Sequence, residues 1–117
     1  MYVVRGYRFN QLRLDLFEIL ARDRNLKAFS GETVQMEAPP EIHFSISTDN
    51  ESTRELLVQL IRNGKIVKTF KGETPIDITY TDNTAPRKGH MYYRLDVRTP
   101  GKDNLLTNPI FVKRPRD

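Results

Sequence analysis

Hydrophobic and polar residues alternate along most of this chain. EIHFSIST sets Ile42, Phe44 and Ile46 against His43, Ser45 and Ser47, the mark of a half-buried strand. PIDITYTD repeats the pattern through Ile76, Ile78 and Tyr80, and HMYYRLDVRT and LLTNPIFVKR follow, separated by a PGKDN turn. In ELLVQLIRNGKIVKTF, Asn63-Gly64 supplies the two positive-φ residues that a type I′ turn needs, so Leu56–Arg62 and Lys65–Phe70 are expected to pair. MYVV at the front is another short strand candidate. One segment is spaced differently. In NQLRLDLFEILARDRN, Leu12, Leu16, Ile19 and Leu20 form a stripe at helical period, with Asn10 as a cap and Asn25 near the end. This predicts an amphipathic helix over Asn10–Asp23, and Leu14 and Phe17 widen its stripe enough to require a protein cover.

Several short strands, closely spaced turns and one helix predict a mainly β fold, an antiparallel two-sheet sandwich. Tyr93, Leu95 and Val97 follow the Tyr-x-Cys-x-Val rhythm of the sixth strand of immunoglobulin-like domains, with leucine in place of cysteine and Asp82 shortly before. The expected fold is therefore an immunoglobulin-like sandwich over residues 31–117, with one N-terminal helix in a strand-helix connector over residues 1–30.

The YYRLDV strand is unusual in that neither face is plainly polar. Tyr93, Leu95 and Val97 point one way, and Tyr92, Arg94 and Asp96 the other. A type I′ hairpin turning at Asn63-Gly64 places Leu60 opposite Val67, Val58 opposite Thr69, Ile61 opposite Ile66 and Leu57 opposite Phe70. With Val58, Leu60, Tyr93, Leu95, Val97, Ile110 and Val112 as the inner layer, an apolar outer row remains: Leu57, Ile61, Ile66, Phe70, Tyr92 and Phe111. These six are the candidate docking face. Patches of that size seldom stay wet on a monomer, and the candidate covers are the helix, an adjoining domain or a ligand. The competing reading is a shifted register with scattered surface apolar residues.

Composition narrows the chemistry. The 117 residues, 38% of them hydrophobic, suffice for one core, and no apolar run is long enough to span a bilayer as a helix. Without cysteine there is neither a disulfide nor a thiolate metal site, and the compartment is left open. His43 and His90 are the only histidines, and neither has a second ligand type at metal-binding spacing, so no metal and no cofactor are expected. His43 and Ser45 share a strand face as a base and a nucleophile could, yet no acid or oxyanion donor is assignable, and no catalytic residue is proposed. Asp49, Glu51 and Asp82 read as isolated turn carboxylates, and the terminal KRPR as a solubilising tail. The +4 charge is spread along the chain. Tyr92, Arg94 and Arg98 share a face as in single-strand readers, but Asp96 interrupts the row and no basic cluster accompanies it, which argues against nucleic acid.

RNGKIVKTFKG, then YTD, then YYRLDVRTPGKDNLLTNPIFVKR, in a match that covers Leu56 to Arg114, resemble the C-terminal region of the PHP (polymerase and histidinol phosphatase) superfamily of metal-dependent phosphoesterases. Such chains end in a small β-sandwich whose last strand carries Asn-Pro-Ile-aromatic-Val, here Asn108 to Val112. The front segment looks like the strand-helix element leading out of the catalytic barrel. The histidine and carboxylate ligands of that barrel have no counterparts in this sequence. The resemblance therefore implies a noncatalytic accessory sandwich that packs on an upstream catalytic domain of the same polypeptide, with no nucleic acid and no membrane as partner. The alternative is a free-standing binding module for protein or carbohydrate.

Overall fold

Eleven strands and no helix are formed by the described residues, which in this computed structural model are 2–5, 12–21, 25–48, 53–100 and 104–115. In chain order they are β1 (Tyr2–Arg5), β2 (Leu12–Ala21), β3 (Leu26–Phe29), β4 (Thr33–Gln35), β5 (Glu41–Thr48) and β6 (Glu55–Arg62), then β7 (Lys65–Glu73), β8 (Ile76–Thr81), β9 (Gly89–Arg98), β10 (Asn104–Thr107) and β11 (Ile110–Arg114). One antiparallel sheet has the order β3-β2-β5-β8. The other has seven strands and is organised by β9. On one edge β9 pairs with β6, which pairs with β7; on the other it pairs first with β11 and then with β10. β1 extends β10, and β4 lies parallel to β11. The inner rows of both sheets meet in one apolar core, which makes the fold sandwich-like.

The split between β10 and β11 follows from Asn108-Pro109. Proline has no N–H to donate to a ladder, so pairing with β9 stops at Leu106 and resumes at Ile110. In the gap the Leu95 N–H donates to the Thr107 hydroxyl at 2.9 Å, so the buried amide keeps a partner.

The expected helix is instead β2. Within the described part of Asn10–Asp23, Leu14 pairs with Ile46 and Leu16 with Ser45, which leaves Asp15 as the extra residue of a bulge. The bulge shifts the alternation by one residue, so Leu12 and Leu14 share the inward face with Phe17, Ile19 and Ala21. Two period-2 rows joined by that phase shift imitate part of a 3.6-residue stripe. The strand prevails because it pairs all along β5, setting Phe17 opposite Phe44 and Ile19 opposite Ile42, where a helix would leave that edge open. β2 and β3, both within residues 1–30, are thus hydrogen-bonded into the same sheet as β5 and β8. Asn10 and Asp23, the expected helix ends, lie outside the described residues, as do Asp49 and Glu51.

The hairpin turn is as expected: Asn63 has φ 53° and Gly64 φ 85°, and Ile61 pairs with Ile66. The next pairs differ. Leu60 pairs with Lys68 and Val58 with Phe70, leaving Val67 as a bulged extra residue. Phe70, expected on the outer row, is therefore turned inward. Its ring meets Phe44 edge-on at 5.4 Å and Tyr80 at 5.7 Å, closing one side of the sandwich.

Asp82 is not an isolated turn carboxylate. It is fully buried and joins the segment after β8 to the opposite sheet. Its Oδ2 accepts from Arg62 Nη1 of β6 and from the Tyr93 hydroxyl of β9, each at 2.6 Å. Its Oδ1 accepts from the backbone N–H and hydroxyl of Thr84 at 3.1 and 2.6 Å. Burial alone would raise the Asp82 pKa, but hydrogen bonds from Thr84, Tyr93 and Arg62 and the Arg62 charge hold it below the usual carboxylate range. Burial, and then the bond to Asp82, push the Tyr93 phenol up.

Two outcomes are expected. Gly64→Val should cost on the order of 1–3 kcal/mol, because a β-branched residue is strained at positive φ. An added Cβ meets only the Tyr92 hydroxyl, at an ordinary 3.9 Å, so an unchanged denaturant midpoint would contradict the backbone explanation. Asp82→Ala strands Arg62 and the Tyr93 hydroxyl and should cost about 3 kcal/mol at neutral pH. Because the folded pKa of Asp82 is depressed, its contribution is complete above the unfolded value of about 3.9 and is lost as pH falls through the folded value. Urea titrations of wild type and variant should therefore converge in acid.

Candidate functional site

The outer face of the seven-stranded sheet is assembled from four neighbouring strands in the order β7-β6-β9-β11. Alternation on β6 buries Leu56, Val58 and Leu60 and turns Leu57, Gln59 and Ile61 outward. On β9 it turns Tyr92, Arg94, Asp96 and Arg98 outward, and on β11 Phe111 and Lys113. Of the six candidate docking residues, Leu57, Ile61, Ile66, Tyr92 and Phe111 share this face; Phe70 does not. Ile66 is 56% exposed and Phe111 41%, while Leu57, Ile61 and Tyr92 are half-buried. Tyr92 and Phe111 are direct cross-strand partners with ring centroids 6.4 Å apart. The supposed covering helix cannot lie here. Its Leu16 belongs to β2, opposite Ser45 in the other sheet.

Asn63 anchors the face. Its side-chain oxygen accepts from the Tyr92 N–H at 2.9 Å and its own N–H donates to the Tyr92 carbonyl at 3.0 Å, so the hairpin turn fixes the backbone beneath the aromatic pair. Beside Tyr92, Arg94 stands opposite Ile61, its guanidinium carbon 5.8 Å from the Tyr92 ring centre. Asp96 accepts from Nε and Nη2 of Arg98 at 3.3 and 3.0 Å. Ile61, Tyr92, Arg94, Asp96, Arg98 and Leu106 border a depression of about 380 Å³. These groups suit recognition; they include no nucleophile paired with a base.

The outer face of the smaller sheet carries polar side chains that pair with one another, beside Leu16, Leu20 and the exposed Phe29. His43 lies between two carboxylates, with Nδ1 3.2 Å from Glu18 Oε2 and Nε2 2.8 Å from Asp77 Oδ1. Lys27 approaches the other Glu18 oxygen at 3.7 Å. Nearby, Asp15 accepts from Arg13 at 2.9 Å and from the Ser47 hydroxyl at 2.6 Å. Both His43 nitrogens can donate only in the protonated ring, so this arrangement suits a cation that ties β2, β5 and β8 together. A ring held on both sides has no nitrogen left to activate Ser45. Among the described residues, no group of three or more His, Asp or Glu side chains could hold a metal ion.

Sequence reasoning also missed Arg114. It was read as part of a solubilising tail, yet Arg114 is a buried residue of β11 that donates to the carbonyls of Pro86, at 2.8 Å, and Glu37. Its inward place was available from the alternation Ile110, Val112, Arg114. No family model and no curated protein matches this chain.

Burial alone would lower the His43 pKa, but hydrogen bonds to Asp77 and Glu18, together with their charges, raise it. A raised folded pKa means that the stabilisation is complete below the unfolded value of about 6.5 and disappears as pH rises through the folded value. The loss of stability on His43→Ala should therefore be larger near pH ~5.5 than near pH ~8.5. Thermal melts at the two pH values check this; an equal loss at both would contradict the charged bridge.

Proposed function

We propose that this chain is a noncatalytic, immunoglobulin-like β-sandwich that docks on a protein through the outer face of its seven-stranded sheet. The partner in this reading is a phosphoesterase domain of the PHP type in the same polypeptide. The carrying observation is the apolar band that crosses four strands at Ile66, Ile61, Tyr92 and Phe111, with its two ends exposed and Leu57 farther along β6 on the same face. The immunoglobulin-like part is supported by the pairing of β5 with β8, β6 with β9 and β4 parallel to β11, and by the bond from Tyr93 to Asp82. The phosphoesterase partner rests on the sequence resemblance over Leu56 to Arg114 alone.

Carbene footprinting of the chain alone and of the full gene product tests the docking. Ile66, Tyr92 and Phe111 should label in the chain and be protected in the full product. Phe111→Asp, at an exposed position, should change the stability of the chain by no more than about 0.5 kcal/mol yet remove the protection. Equal labelling of the face in both contexts overturns the proposal.

A further inference from the structure

Arg94 places a positive charge on the docking face. Its Nε is buried and has no hydrogen-bond partner, and the contact of its guanidinium is with the Tyr92 ring. An unsatisfied buried donor is unfavourable, and the ring supplies no acceptor in the guanidinium plane. The neighbouring carboxylate on the strand, Asp96, is engaged by both Nε and Nη2 of Arg98. Glu55 and Glu73 pair at the far end of the β6–β7 ladder, away from Ile61 and Ile66. The depression beside Arg94 thus combines two arginines with a single carboxylate, between the apolar side chains of Ile61 and Leu106.

Resting on the docking reading, we infer that this depression receives an acidic side chain of the protein partner, flanked by apolar residues and held by Arg94. A carboxylate matches the outer edge of the arginine fork, Nη1 and Nη2, through two parallel hydrogen bonds. The volume of about 380 Å³ lies at the small end for ligand pockets and suits one side chain. Tyr92 restricts the guanidinium on one face and so orients the fork before the partner arrives. The flanking apolar groups would rest on Ile61 and on the Tyr92–Phe111 pair.

The test titrates the isotope-labelled chain and follows the Nε–H resonance of Arg94. The probes are a capped tripeptide with glutamate between phenylalanine and leucine, the same peptide with glutamine, and sodium acetate. A saturable shift is expected with the glutamate peptide, with binding at least about tenfold weaker for the glutamine peptide and for Arg94→Lys, which keeps the charge but not the fork. Acetate should bind more weakly than the glutamate peptide. Equal binding of the glutamine peptide, full affinity in Arg94→Lys, acetate binding as tightly as the peptide, or no saturable shift at Arg94 each overturns the inference. The docking reading is judged separately by the footprint. A protected face with no carboxylate selectivity removes this inference alone, and an unprotected face removes the docking reading, whatever the titration shows.

Discussion

The buried carboxylate of Asp82 is the constraint on which the arrangement of the two sheets depends. Hydrogen bonds within each sheet fix strands relative to their neighbours, but the apolar core between the sheets is nondirectional and tolerates sliding. Asp82 supplies direction. It leaves β8 of one sheet and ends on Arg62 and Tyr93 of the other, while its backbone N–H donates to the Pro40 carbonyl ahead of β5. A charge without solvent contact is tolerated only where its lone pairs are filled, and here Thr84, Arg62 and Tyr93 fill them together. Sliding one sheet past the other would break the bonds to Arg62 and Tyr93 together.

That anchor also explains why β9 can present two different faces. Tyr93 is pinned by Asp82 on the inner side, so its neighbour Tyr92 is committed to the outer side, where Asn63 holds its backbone from the hairpin turn. The interior of one sheet and the chemistry of its outside are therefore set by adjacent residues of one strand. The bulge at Val67 acts in the same way on the neighbouring hairpin. It leaves Ile66 outside but sends Phe70 into the core against Phe44 and Tyr80.

Period-2 alternation and turn chemistry made most of the strands legible, including the type I′ hairpin and both faces of β9. What escaped were phase shifts. One unpaired residue, Asp15 in β2 or Val67 in β7, moves every following side chain to the other face, and alternation alone does not show where a bulge falls. The first made a strand resemble a helix; the second placed Phe70 on the wrong face. The polar residues of the interior were hidden for a different reason. Asp82, Arg62 and Arg114 are charged types whose usual place is the surface, and only partners distant in sequence, such as Tyr93 or the Glu37 and Pro86 carbonyls, make their burial favourable. The candidate face was readable as a doubled apolar pattern, whereas the unpaired Nε of Arg94 depends on the Asp96–Arg98 pairing in three dimensions.

The two outer faces differ in how their charged groups are paired, and this difference is what favours the larger sheet in the proposed docking reading. On the smaller sheet, Arg13, Asp15 and Ser47 form one closed set, and Lys27, Glu18, His43 and Asp77 form another. A partner docking there would have to break charge-assisted bonds before making its own. On the larger sheet the exposed Ile66 and Phe111 stand beside Arg94, whose guanidinium lies against the Tyr92 ring. Covering that face would remove apolar surface from water and, in the proposed reading, bring a carboxylate to the Nη groups of Arg94. Both terms favour association, and neither requires an existing bond to be surrendered. The same sheet is least open to uncontrolled strand pairing where its long edge strand, β7, carries Lys65, Lys68 and Lys71 and a bulge. In the proposed reading, association is thereby kept from that edge and left to the face.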